Sequence, residues 1–227
     1  MCIRDSYDTL GDQDSYVYIG TEFAQATASP SHLFKFHMSE GGLRVPLIMS
    51  GPGINKGKNH NFAFVTDIAA TISDIVFDEV DERIIGKSLQ NSLAGSNENN
   101  YEDFEAVGLE VTGNSALFKG NYKIVRNRPP NGSNQWELYN LHEDPGETQD
   151  LSKIMPDKLF ELIEDYDQYA QINGVIELPL DYQWAEEMTV NTFKRNYLPL
   201  LLRAVSVIAL TVFVVIYLRR RWKKTQN

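Results

Sequence analysis

Cysteine is nearly absent: the 227 residues hold one, Cys2. A single thiol excludes a disulfide scaffold and a cysteine-based zinc finger. Histidine is scarce, and His32, His60 and His142 have no metal-ligand partner at a usable spacing. Basic side chains are outnumbered, 21 against 31 acidic, and the net charge of −10 argues against a nucleic-acid partner. Internal repeats and low-complexity stretches are missing, and 42% apolar with 23% charged residues is an ordinary globular balance. Met1 opens no apolar leader, because Arg4, Asp5, Asp8, Asp12 and Asp14 interrupt the first turns.

Acid is also absent from residues 194–227, which carry Lys194, Arg195, Arg203, Arg219, Arg220, Arg221, Lys223 and Lys224. The body before them keeps 13 basic and 31 acidic residues, so an acidic body joins a basic tail. Leu198 to Leu218 contains one charge, Arg203. At 1.5 Å per residue a helix of that length reaches about 31 Å, the thickness of a bilayer's hydrocarbon core. From Ala204 onward only Ser206 and Thr211 are polar, and both hydroxyls can bond back to a carbonyl of their own helix. Phe193, Tyr197, Tyr217 and Trp222 stand at the two ends, at headgroup level. A single span over 198–218 is expected. Basic residues favour the cytoplasm, so the C-terminus is expected inside and the body on the periplasmic or extracellular side. A buried core helix is the bland alternative.

Along the body, the alternation Tyr16–Ile19 suggests a short strand, and Gly20–Phe34 reads as an irregular connection. Val45–Met49, ending at Gly51-Pro52-Gly53, suits a strand buried in a larger sheet. Thr66 is placed to cap a helix with Asp67 in its first turn and Ile68, Ile72, Ile75 and Val76 at helical spacing. Ser88–Asn100 reads as a surface loop. Four strand-length pieces follow: Ala106–Val111, Ser115–Lys119, Tyr122–Arg126 and Gln135–Leu141, with Gly120-Asn121 as a two-residue hairpin turn. Asp144-Pro145-Gly146 stops the strands. A helix over Pro156–Ile172 is expected to bury Leu159, Ile163, Tyr166 and Ala170 and to end at Asn173-Gly174. Together these make a compact α+β subdomain.

The stretch Lys35-Phe36-His37-Met38-Ser39-Glu40-Gly41-Gly42-Leu43-Arg44-Val45-Pro46 resembles the sulfatases, which carry Lys-x4-Glu-Gly-Gly-x-Arg-x-Pro there. Gly51-Pro52-Gly53, Thr66-Asp67-Ile68, Lys119-Gly120-Asn121-Tyr122-Lys123, Trp136-Glu137-Leu138-Tyr139-Asn140-Leu141 and Asp144-Pro145-Gly146-Glu147 follow in that family's order. Each motif alone is weak, and the ordered set is specific. The approach Ser15–Gly20 and the stretch Gly174-Val175-Ile176 look like the bacterial arylsulfatase branch. The resemblance implies part of an alkaline-phosphatase-like α/β sulfatase fold, with a small C-terminal subdomain of four antiparallel strands and a helix. It implies hydrolysis of sulfate esters, a formylglycine nucleophile made from a Cys/Ser-x-Pro-x-Arg motif, and a calcium ion held by Asp and Asn.

That nucleophile motif is missing, since neither Cys2 nor Ser29 has the spacing, and so is the calcium pair. Asp5, Asp8, Asp12 and Asp14 read as solvated loop charges. The chain therefore looks like a C-terminal fragment, inactive alone. Met1–Ser6 looks like an assembly artefact. The expected division is a catalytic-domain remainder over 7–105, the α+β subdomain over 106–180, a juxtamembrane linker over 181–197, the span over 198–218 and a cytoplasmic tail over 219–227.

Of the site, Lys35 matches the family's sulfate-binding lysine, a compact cation suited to a tetrahedral oxyanion. His37, two residues on, is a second candidate for substrate contact. Glu40, Gly41, Gly42 and Arg44 are expected to hold the loop, the first and last as an ion pair. Asn131-Gly132-Ser133 forms a glycosylation sequon. The expected partners are a sulfate ester and a lipid bilayer. Two other readings stay open: a phosphodiesterase or phosphoglycerol transferase of the same fold, and a membrane-tethered binding module without activity.

Overall fold

The computed structural model describes residues 8, 20–179, 181–182 and 184–225, and the expected strand Tyr16–Ile19 lies outside them. The chain divides into two compact units, Met1–Ile176 and Glu177–Asn227. The first contains helices α1 (Gly20–Ala28), α2 (Glu40–Leu43), α3 (Val65–Phe77) and α4 (Gln90–Leu93). Strands β1 (Ala106–Val111), β2 (Asn114–Lys119), β3 (Tyr122–Arg126) and β4 (Glu137–Asn140) follow, and then α5 (Pro156–Asn173). The second contains α6 (Trp184–Asn196) and α7 (Leu198–Thr225).

The sheet runs β1-β2-β3-β4 with every neighbouring pair antiparallel. Short turns set its register. Thr112 and Gly113, at φ 54 and 83, join Val111 to its partner Asn114, and Gly120, at φ 57, opens the turn between Lys119 and Tyr122. Period-2 alternation then sends side chains to two faces, and both are covered. On one face Leu117, Ile124 and Leu138 pack against Leu162 and Tyr166 of α5. On the other, Ala116, Val125 and Tyr139 pack against Met38, with Leu43 beside them. The segment around Met38 therefore serves as the second layer of the sheet. Helix α5 ends where Gly174 takes φ 66 and its N–H bonds to the Ala170 carbonyl. Its fully buried residue is Leu162, which the expected stripe passed over.

Elsewhere the chain departs from expectation. Gly20–Ala28 is helical, favoured by alanines 24, 26 and 28 and by Glu22 in the first turn. Val45–Met49 forms no strand, and Val45, Leu47 and Ile48 are exposed. A strand needs a neighbour for its N–H and C=O groups, and among the described residues none lies alongside. In α3 the periodicity is correct but the faces are reversed. Ile72, Ile75 and Val76 are exposed, while Asp67, Ala70, Thr71 and Ser73 are buried. Thr66 does not cap this helix; Asp67 reaches back from its first turn to accept the Phe64 N–H at 2.7 Å. The buried polar face sews residues 79–101 onto α3. Asp67 also accepts from the Lys87 N–H at 2.9 Å and the Tyr101 hydroxyl at 2.6 Å, and Thr71 accepts from the Leu89 N–H. Burial, with Asp67 beside it, pushes the Tyr101 hydroxyl well above its ordinary value.

In the second unit the segment before the apolar run is itself helical. Glu186 and Glu187 in the first turn of α6 and Lys194 and Arg195 in the last complement its dipole. Helix α7 continues past Leu218 into the basic tail. Ser206 and Thr211 each donate to the carbonyl four residues back, Leu202 and Val207, at 2.8 Å.

Candidate functional site

Lys35 sits in a tight loop between α1 and α2 that the chain forms with unusual backbone. Leu33 and Phe36 take φ 57 and 81, uncommon for bulky residues. Lys35 is exposed, and its Nζ stands 5.1 Å from the centre of the Phe36 ring. Gly41 and Gly42 close the loop by approach, since neither takes positive φ. A Cβ on Gly41 would stand 2.0 Å from the Leu33 carbonyl oxygen, and one on Gly42 would stand 2.2 Å from that of His37. The Gly41 N–H donates to the His32 carbonyl at 2.8 Å. Only glycine lets the α2 backbone lie this close to the loop.

His37 is buried, and both ring nitrogens are engaged. Nδ1 lies 3.0 Å from the Phe34 carbonyl, so it carries the hydrogen, and Nε2 accepts from Asn131 Nδ2 at 3.0 Å. The Phe34 ring meets the imidazole edge-on at 4.9 Å. Asn131, noted in the sequence as a sequon residue, is thus part of this loop's packing.

Below the loop the sheet supplies a charge cluster that sequence reading did not assign. Lys123 of β3 is fully buried, with Nζ 2.7 Å from Glu147 Oε1 and 2.9 Å from Glu40 Oε1. Glu147 Oε2 accepts the Glu40 backbone N–H at 2.8 Å. Glu40 therefore pairs with Lys123 and not with Arg44, which is exposed. Burial raises the Glu147 carboxyl above its ordinary value, against the pull of the Lys123 cation. Three motifs that looked separate in the sequence meet here: Glu-Gly-Gly, Lys-Gly-Asn-Tyr-Lys and Asp-Pro-Gly-Glu. The available signal was Lys123 itself, an inward-facing charge between apolar neighbours on a central strand.

Two buried asparagines complete the contact. Asn114 donates through Nδ2 to the Phe36 carbonyl at 2.7 Å and accepts the Arg128 N–H at 2.7 Å. Asn127 accepts the Met38 N–H at 2.8 Å and donates to Ser39 Oγ at 3.0 Å. They stand side by side at one end of the β2–β3 pair, one step beyond the Ser115–Arg126 register.

Among the described residues no three His, Cys, Asp or Glu side chains gather as a metal site. Asp8 is exposed, and Cys2, Asp5, Asp12 and Asp14 lie outside the described residues. The calcium and formylglycine implied by the resemblance find no ligand set or nucleophile among the described residues, and no step is derived through them.

The four-stranded sheet, its helix and the glycine-closed lysine loop define a sulfatase C-terminal region. The family model described as N-sulphoglucosamine sulphohydrolase, C-terminal, matches residues 31–168, and the chain belongs to the sulfatase family. An uncharacterized sulfatase of Schizosaccharomyces pombe is 34% identical over 199 residues, covering 78% of this chain and 34% of that protein. Arylsulfatase K of Xenopus laevis is 24% identical over 159 residues, 65% of this chain and 30% of that protein. The chain thus spans about a third of the length of these relatives. Among solved structures, Ps i-CgsB matches with a TM-score of 0.55 at 18% identity, covering 74% of this chain and 38% of that one. A Bacteroides thetaiotaomicron protein, BT33336S-sulf, matches with a TM-score of 0.51 at 20% identity, covering 60% of this chain and 31% of that one. These two show the fold.

Proposed function

We propose that this chain serves as the C-terminal part of a membrane-anchored, arylsulfatase-like enzyme that hydrolyses sulfate esters, and that Lys35 binds the sulfate. The observation that carries the reading is Lys35 itself: an exposed cation on a loop whose following residues, 36 to 40, are pinned to the sheet. As the S–O bond breaks, charge gathers on the leaving oxygen, and a fixed ammonium steadies it. His37 is buried, and touching substrate through Nε2 would require it to release Asn131. The nucleophile and the calcium implied for the family belong to sequence upstream of this chain, so the chain alone is inactive. The division at residues 105, 180, 197 and 218 is part of the same reading.

The test is Lys35→Ala in the complete enzyme that carries this chain. One charge donor at an oxyanion contributes about 100- to 1,000-fold in rate, so kcat/KM on a sulfate ester falls by about that factor with the fold intact. Near-unchanged activity removes Lys35 from the site.

The anchor is α7. Leu198–Arg220 is 23 residues long and apolar enough to cross a membrane, and every residue in it is exposed. A helix apolar on all sides suits lipid, not a one-sided core. In this reading the basic end is cytoplasmic and the acidic body lies outside. Deleting residues 194–227 should move the enzyme to the soluble fraction; persistence in membranes after a high-salt wash would overturn the assignment.

A further inference from the structure

Phe36 is the residue that follows the lysine, and its backbone needs explaining. A phenylalanine at φ 81 is a steric outlier. Such a conformation persists only where its surroundings over-determine it. Here the Phe36 carbonyl takes the Asn114 amide at 2.7 Å and the Thr112 hydroxyl at 3.4 Å, and two residues on the Met38 N–H is held by Asn127. Asn114 and Asn127 are 3% and 4% exposed. The orientation of each amide is fixed by its neighbours, because each oxygen faces an N–H (Arg128, Met38) and the Asn114 nitrogen faces a carbonyl. Both asparagines lie in the sheet region, far from Lys35 in sequence. Lys35 has a long flexible side chain, so the direction of its Cα–Cβ bond is what the fold can set, and the adjoining peptide sets it.

We infer that Asn114 and Asn127 are positioning residues that aim Lys35 at the sulfate by clamping the backbone of residues 36–38, with Phe36 held in its left-handed conformation. The inference rests on the sulfate-binding reading of Lys35. It makes the C-terminal sheet a working part of the reaction centre, acting through the loop without touching substrate.

Asn114→Asp separates this role from general stability. The carboxylate keeps an acceptor for the Arg128 N–H but meets the Phe36 carbonyl with repulsion in place of a donated hydrogen bond. A misplacement of about 1 Å at a reacting group costs about 100-fold. In the complete enzyme, with 4-nitrophenyl sulfate as the substrate, Asn114→Asp should lower kcat/KM by about 10- to 100-fold. Amide exchange should rise at residues 36–39 while β2 and β3 stay protected. In a Lys35→Ala background the same change should alter kcat/KM by less than about 3-fold, because there is no cation left to aim. Equal loss in both backgrounds, or unchanged exchange in the loop, would overturn the inference and leave the asparagines structural. If Lys35→Ala alone kept activity, the lysine reading would fall first and this inference with it, a result distinct from the other two. Asn127→Asp, which retains the acceptor for Met38, serves as a milder control that should lose less.

Discussion

The sheet with α5 and the stretch from Val45 to Phe77 are built from similar apolar residues, yet they use them in opposite ways. In the first, Leu117, Ile124, Leu138 and Leu162 are fully buried. In the second, Val45, Ile48, Ile72, Ile75, Val76 and Phe77 are all more than half exposed, and the buried positions of α3 are Ala70 and the polar Asp67, Thr71 and Ser73. The sheet has both faces closed, one by α5 and the other by Met38 and Leu43. The second region secures only its polar side and leaves an apolar side open. Regular secondary structure alone therefore says little about which region is finished; what matters is whether each apolar face has met another.

Three substitutions in this chain should break or sharpen that contrast. The largest effect belongs to Lys123→Met. It leaves Glu40 and Glu147 buried against each other without a cation, and losing one partner of a buried ion pair costs about 3–5 kcal/mol. The urea midpoint of the sheet should collapse, and a midpoint near that of the unaltered chain would show the cluster to be incidental. Leu162→Ala comes next, at about 2–5 kcal/mol for a fully buried leucine. Ile75→Ser is the counterpart on the open face and should change the unfolding free energy by no more than about 0.5 kcal/mol while reducing dye binding to exposed apolar surface. Equal costs for Leu162→Ala and Ile75→Ser would mean that the α3 face is covered in solution.

The contrast also explains how much could be read from the sequence. The sheet was legible because its signals are local: alternation in Tyr122–Arg126, the Gly120 turn, and Gly174 after a 3.6-residue period. Helix α3 was legible as a helix, but its orientation was not. An apolar stripe at Ile72, Ile75 and Val76 predicts inward packing, and the fold instead buries Asp67 and Thr71, whose value lies in hydrogen bonds to residues 87, 89 and 101. Helix α1 was hidden by its small residues and the following Pro30. Lys35, proposed as the sulfate-binding residue, stands out in the sequence through its motif. The residues that hold the loop do not, because Asn114, Lys123, Asn127 and Glu147 reach it from 78 to 107 positions away, and no spacing rule links them.

The Lys123 cluster carries a consequence for how this region can vary. Its cation is neutralised by carboxylates 83 residues before it and 24 residues after it. Changing Lys123 alone to an apolar residue leaves two buried carboxylates without a cation, whereas changing one glutamate still leaves a Lys–Glu pair and exchanging all three for packed apolar side chains removes the charges altogether. Lys123 is therefore the member of the cluster that cannot be lost while the other two remain. An intermediate that keeps both carboxylates without the ammonium carries a penalty that neither end state carries. Three short motifs spread over more than a hundred residues thus constrain one another through one buried ammonium.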